Sequence, residues 1–264
     1  MSNVWLCLPS KRPFEQVDPV LKLWRERGYR VAIQRDDTEP HSFGTRGEWK
    51  ATELVVWGPY GGYATAVNTL TREVLSIDKQ AQWIVCAGDD TEPDLNHEAE
   101  EIAQECSAYF FGHNCSIQTS LGAPVPPTIP IGAMPTYGVM QPTGDRWGDR
   151  QGAYIDRVAG SPWMGREFCL RVNQGRGPLW SEYFHCFADE ELQHVATRLG
   201  VFWQRPDLIH MHQHWGRVPN GAPFASSSLM PDFLKRANSS EEWRKASSLF
   251  KQRKATNFPG SEPL

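Results

Sequence analysis

The chain has 264 residues, 40% of them hydrophobic, and a formal net charge of −4. That length suffices for one large domain or two small ones with a proper core, and the mild acidity excludes a global polyanion-binding surface. Six cysteines occur without a C-x-x-C pair, and no apolar run approaches the roughly 18 residues that cross a bilayer, so a reduced, cytoplasmic protein with no membrane partner is expected.

"VWLCLPS" (4–10) is a continuous apolar run closed by Pro9, as in a strand buried on both faces. "VDPVLKLWRERG" (17–28) predicts a helix with Val20, Leu21 and Leu23/Trp24 on one side and Gly28 as its stop. "YRVAIQRDD" (29–37) is a second strand, ending in Asp36 and Asp37, and "ELVVWGPY" (53–60) is a third. Gly61 and Gly62 then precede a helical "YATAVNTLTREVL", and "QWIVCAG" (82–88) is the fourth strand. This alternation predicts a parallel α/β sheet with right-handed crossovers, whose ligands sit beyond the C-terminal strand ends. Pro9, Ser10, Lys11, Arg12, Asp36, Asp37, Gly61, Gly62, Asp89 and Asp90 then share one rim.

The second half differs in texture. Residues 112–165 are rich in Gly, Pro and aromatic residues, with short strand-like pieces such as "YGVMQP" (137–142). "ADEELQHVATRLGVFW" (188–203) is amphipathic, with Leu192, Val195 and Leu199 as its stripe, Gly200 as its stop, and Asp189 or Ser181 as N-terminal charge or cap. The Ser- and Lys-rich tail contains a short helical candidate, "EEWRKASSLFKQ". From Lys235 to Lys254 seven basic residues face two acidic ones, which leaves the rest of the chain at −9.

Two constellations carry chemistry. Asp89 and Asp90 repel each other at the end of an apolar strand, which fits a solvated Gly-Asp-Asp-Thr turn or one half of a divalent-metal site. In "HMHQHW" a strand points His210, His212 and His214 to one face, as metal ligands or as a surface stack on Trp215.

In order and spacing these pieces resemble the GT-A glycosyltransferases, above all those like glycosyltransferase family 2, over roughly residues 3 to 216. "LPSKRP" looks like the nucleotide-contacting first-strand segment, "QRDD" like the acidic end of the second strand, and "GPYGGYATAVN" like the Gly-rich turn and helix with a nucleotide-contacting Asn68. "AGDDTEPD" looks like the D-x-D element, with Gly88 where the first Asp usually stands. "FADEEL" looks like the segment of the catalytic base, with Ala188 in place of the usual Glu, so Asp189 is the closest match and Glu190 and Glu191 adjoin it. "HMHQHW" looks like the histidine that completes the metal site.

The resemblance implies a Rossmann-like mixed sheet flanked by helices, in one domain over 1–218 (a nucleotide-binding half to about 111, an acceptor-binding half after it) with a basic extension over 219–264. It implies a nucleotide-sugar donor, UDP-linked by expectation, and Mn²⁺ or Mg²⁺ held by Asp90, Asp89 and one of His212 or His214. It also implies Asp189 or Glu190 as base in an inverting displacement, and an acceptor pocket shaped by Trp163, Met164, Gly165 and Arg166, although Trp163 reads equally well as a core residue. "YGVMQPTGDRWGD" and "GSPWMGREFCLRVNQGRGPLW" look similar to phage-type enzymes, some relatives of which decorate hydroxymethylated pyrimidines in DNA, so DNA in a host cytoplasm is the expected acceptor and a saccharide, small-molecule or protein hydroxyl the alternative. A sugar nucleotidyltransferase is the rival enzyme, opposed by the missing glycines in "LPSKRPFE", and a non-catalytic binding module is the rival from another class.

Overall fold

The computed structural model describes residues 3–36, 52–120, 134–144, 160–213, 230 and 232–264. Eight strands form one mixed sheet: β1 (Val4–Ser10), β2 (Arg30–Arg35), β3 (Leu54–Trp57), β4 (Trp83–Cys86), β5 (Thr91–Glu92), β6 (Val139–Gly144), β7 (Trp163–Gly165) and β8 (Phe202–His212). Their spatial order is β3-β2-β1-β4-β7-β6-β8-β5. The first four strands are parallel, as the alternating sequence pattern requires. β7 runs antiparallel between β4 and β6, β8 lies parallel to β6, and β5 closes the far edge antiparallel to β8. The result is a Rossmann-like mixed sheet flanked by helices.

Among the described residues seven α-helices accompany it: α1 (Phe14–Glu26), α2 (Tyr63–Ile77), α3 (Ala99–Ser120), α4 (Arg166–Arg171), α5 (Ala188–Arg198), α6 (Asp232–Ala237) and α7 (Ser240–Ala255). Side chains alternate across a strand, so the unbroken apolar run of β1 feeds two cores at once. Val4, Leu6 and Leu8 pack with Leu21 and Trp24 of α1 and Ile102 and Phe110 of α3. Trp5 and Cys7 pack on the other face with Val67 and Leu70 of α2, Leu192 and Val195 of α5, and Phe250 of α7. Both faces are covered, which is why the strand needs no polar alternation.

Several expectations shift. Phe187, in a left-handed conformation at φ 71°, precedes α5 without a side-chain cap, so neither Asp189 nor Ser181 caps it. The tail is built in: α7 is capped by Ser239, whose hydroxyl accepts the Glu242 N–H, and buries Ala246 and Phe250 in the core. Among the described residues, no helix is long and apolar enough to cross a membrane.

Candidate active site at the strand ends

The parallel strands end at a cavity of about 530 Å³, within the range of small-ligand sites. Pro9, Ser10, Lys11 and Arg12 line it from the end of β1, Gln34 and Asp36 from the end of β2, and Gly88, Asp89 and Asp90 from the end of β4. Beneath this rim lies Arg35, whose guanidinium is fully buried and donates to the Ser10 and Arg12 carbonyls at 2.8 and 2.7 Å. It therefore fixes the loop that presents Lys11 and Arg12.

The paired aspartates share one cation. Arg12 donates from Nε to Asp89 at 2.9 Å and from Nη2 to Asp90 at 3.1 Å, and the Ser10 hydroxyl donates to Asp89 at 2.5 Å. Burial still holds the Asp89 carboxyl above its usual range, against the pull of Arg12 and Ser10. The Trp24 indole donates to the Thr91 carbonyl at 2.7 Å, anchoring this turn on α1. Lys11 pairs with the buried Asp36 at 3.4 Å.

Across the sheet, β8 brings His212 Nε2 to 3.2 Å from an Asp90 oxygen. Asp94 helps set that register, because its buried carboxylate accepts the Ile209 N–H at 2.8 Å. His210 is buried, with Nδ1 3.0 Å from the Ser161 hydroxyl, and burial pushes its pKa down to about 4, so it is neutral near pH 7. Asp37 and His214 lie outside the described residues. Among the described residues no three His, Cys, Asp or Glu side chains converge as a metal cage, but Asp90 and His212 form an oxygen–nitrogen pair that suits Mn²⁺ better than the oxygen-seeking Mg²⁺.

The opposite wall comes from residues 176–190, and the glycine turn and Asn68 serve to hold it. Asn68 donates to the Leu179 carbonyl at 2.7 Å and accepts the Leu179 N–H at 3.0 Å. Gly62 has φ 108°, and a Cβ there would come within 2.6 Å of the Phe184 carbonyl oxygen, while the Tyr63 N–H donates to that same oxygen. These residues were expected to touch a nucleotide. The structure instead gives Asn68 and Gly62 to the backbone of the wall, and the neighbouring Tyr60 and Tyr63 line the cavity.

The tethered wall delivers His185, Cys186, Phe187, Asp189 and Glu190. Asp189 has no cation beside it among the described residues, and burial pushes its pKa up to about 6, with the Glu190 charge adding to the rise. Glu190 is raised as well, chiefly by burial. Glu191 turns away into the core, where Arg253 grips it at 2.7 Å and the Tyr183 hydroxyl donates to it at 2.9 Å. His185, absent from the sequence reading, keeps Nδ1 buried without a hydrogen-bond partner among the described residues, and burial lowers its pKa. Its position four residues before Asp189 was the available signal.

None of the four residues expected at the acceptor pocket lines this cavity. Trp163 and Met164 are fully buried in β7, and a Cβ on Gly165 would overlap the Thr136 backbone. Arg166 donates to the carbonyls of Leu75, Asp78 and Ala81, where it closes the C-terminal end of α2 at the strand starts, away from the cavity. The wall residues Leu234, Asn238 and Trp243, from α6, the turn after it and α7, were not anticipated as lining.

No family model matches the chain, and no curated protein does. Among solved structures it is similar to a protein from Bacillus anthracis, assigned as a glucose-1-phosphate thymidylyltransferase and crystallised with sucrose, at 10% identity and TM-score 0.36 over 94% of each chain.

Proposed function

We propose that the protein is a glycosyltransferase that moves a sugar from a nucleotide-sugar to a hydroxyl acceptor. One observation carries the reading: a carboxyl with a pKa of about 6, Asp189, lines the same strand-end cavity as the Lys11, Arg12, Asp89 and Asp90 rim. A general base works best when its pKa lies near the operating pH, and desolvation without a cation is how a carboxylate is brought there.

On this reading Asp36, Gln34 and Tyr60 receive the nucleoside, with UDP the expected carrier, and Lys11 and Arg12 meet the diphosphate. The cavity also holds Asp36, Asp89, Asp90, Asp189 and Glu190, so its formal charge disfavours a diphosphate unless further positive charge arrives. Asp90 and His212 would hold that charge as Mn²⁺ or Mg²⁺, which would neutralise the leaving diphosphate. Asp189 takes the proton from the acceptor hydroxyl as its oxygen bonds to the sugar carbon. The carbon–oxygen bond to the diphosphate breaks on the opposite face, its electron pair leaves with the nucleotide, and the configuration inverts.

The expected DNA acceptor draws little support from the basic tail. Arg253 is buried against Glu191, Lys245 pairs with Glu241 and Glu242, and Lys235 pairs with Asp232. The test is a screen of UDP-, GDP- and dTDP-sugars for binding and slow hydrolysis, with and without Mn²⁺. Binding of one nucleotide-sugar, lost in Asp90→Ala, is expected; binding of none would overturn the reading.

A further inference from the structure

We propose that Trp243 is the platform of a saccharide-binding subsite, on which the flat apolar face of an uncharged sugar ring rests with one hydroxyl turned toward Asp189. The role of that hydroxyl rests on the glycosyl-transfer reading; the binding of the ring does not.

Trp243 stands apart from the other described tryptophans, none of which is exposed. Trp5, Trp24, Trp83 and Trp163 are fully buried, whereas Trp243 is 52% exposed and lines the cavity. A half-exposed indole beside a polar cavity presents a ring-sized apolar face to the solvent. Its position is fixed by local structure. Ser239 caps α7, and the Trp243 N–H donates to the Ser239 carbonyl at 2.9 Å, so the side chain leaves from the first turn of the helix. Behind it an aromatic column runs into the core: Phe187 at 5.8 Å, then Phe250 stacked on Phe187 at 5.3 Å, then Phe258 at 5.8 Å from Phe250. Phe187 is also the left-handed residue two positions before Asp189, so the platform and the carboxyl are held by one local structure. Strained backbone of this kind persists where its surroundings over-determine it, and it clusters at functional sites.

The surroundings select the occupant. Asp189 and Glu190 share the cavity with Trp243, and they accept hydrogen bonds from hydroxyls but repel phosphate or carboxylate. Lys245, two residues on, is already shared between Glu241 at 2.8 Å and Glu242 at 3.3 Å. A neutral ring with an apolar face and a hydroxylated edge satisfies both the indole and the carboxylates, whereas a phosphodiester chain would meet the Asp189 and Glu190 carboxylates in the same lining.

Saturation-transfer NMR and titration without donor test this, using a panel of methyl pyranosides and a single-stranded oligonucleotide carrying 5-hydroxymethylcytosine. The parent should bind at least one pyranoside; Trp243→Ala should weaken it about tenfold and Trp243→Phe should restore most of it, since a phenyl face keeps the stacking. UDP affinity, measured alongside, should differ little among the three. Equal pyranoside binding by Trp243→Ala and the parent overturns the proposal, as does a parent that binds no pyranoside. Oligonucleotide binding that depends on Trp243 would overturn it in favour of a nucleic-acid acceptor. Failure of all the UDP-, GDP- and dTDP-sugars to bind the parent would sink glycosyl transfer and leave a Trp243-dependent sugar site standing.

Discussion

The two sides of the cavity provide differently for their carboxylates. On the rim, Asp89 and Asp90 share the Arg12 guanidinium, and Asp36 has Lys11. On the wall, Asp189 has burial and a neighbouring acid, and no cation beside it among the described residues. Arg12 and Lys11 thus oppose the effect of burial on the rim, which still raises Asp89, while among those residues nothing but backbone hydrogen bonding opposes it at Asp189. The same contrast recurs inside α5, where Glu191, two residues beyond Asp189, is gripped by Arg253 in the core.

Asp189→Asn breaks this contrast most directly. The transfer rate should fall by roughly 10²–10⁴, and the rise of kcat/KM through about pH 6 in the parent should vanish. Stability should move the other way. The folded pKa of Asp189 lies above the unfolded value, so the parent loses stability as pH rises through about 6. Asn escapes that loss, so the variant should be more stable than the parent by about 1–3 kcal/mol at pH 8. The gap should close below about pH 4, where both states of the parent are protonated. Urea denaturation of both proteins at pH 4 and pH 8 measures it, and a gap unchanged between the two would contradict the desolvated-base assignment.

Arg253→Met strands Glu191 as an unpaired buried charge and should cost about 3–5 kcal/mol. Adding Glu191→Met should recover much of it, which a double-mutant cycle would show. Asn68→Ala leaves the Leu179 N–H and carbonyl without their side-chain partner and should cost about 1–3 kcal/mol. It should also lower the transfer rate, because the wall that carries Asp189 loses a tether, while UDP affinity at the rim should hold. A matched loss of UDP affinity would mean that Asn68 touches nucleotide after all. The smallest effect is expected from Arg244→Gln with Lys251→Gln, two exposed residues of α7, at under about 0.5 kcal/mol and with no change in duplex-DNA retention at low salt. A clear fall in retention would restore the tail as a polyanion surface.

The rim was legible in the strand pattern, whereas on the wall only Asp189 and Glu190 were named, through the resemblance. The reason is physical. β1, β2 and β4 announce themselves as short apolar runs, and parallel order places their ends together, so Ser10, Asp36 and Asp89 could be assigned to one edge before any coordinates. Their partners could not: the pairing of Arg12 with both aspartates spans 77 and 78 positions. The wall depends on longer reaches still, with 111 positions between Asn68 and Leu179 and 62 between Glu191 and Arg253. Trp163 shows the limit of residue type as a guide. A tryptophan between Pro162 and Met164 reads as platform or core alike, and the three-residue strand that decides the matter forms only between β4 and β6. α3 passed unnoticed as well, although Ile102, Cys106 and Phe110 recur at helical spacing, because its acidic start and aromatic end blur the stripe.

Chain order gives the Arg253–Glu191 clasp a meaning in time. The strands that end at the rim are synthesised in the first third of the chain, whereas α7 emerges after every strand of the sheet. A nascent chain can therefore assemble the charged edge while Glu191 still waits for its guanidinium, and Trp243 and Phe250 have yet to pack on Phe187. On the proposed reading, donor handling and activation of a hydroxyl would then be acquired in sequence, with the second withheld until α7 docks.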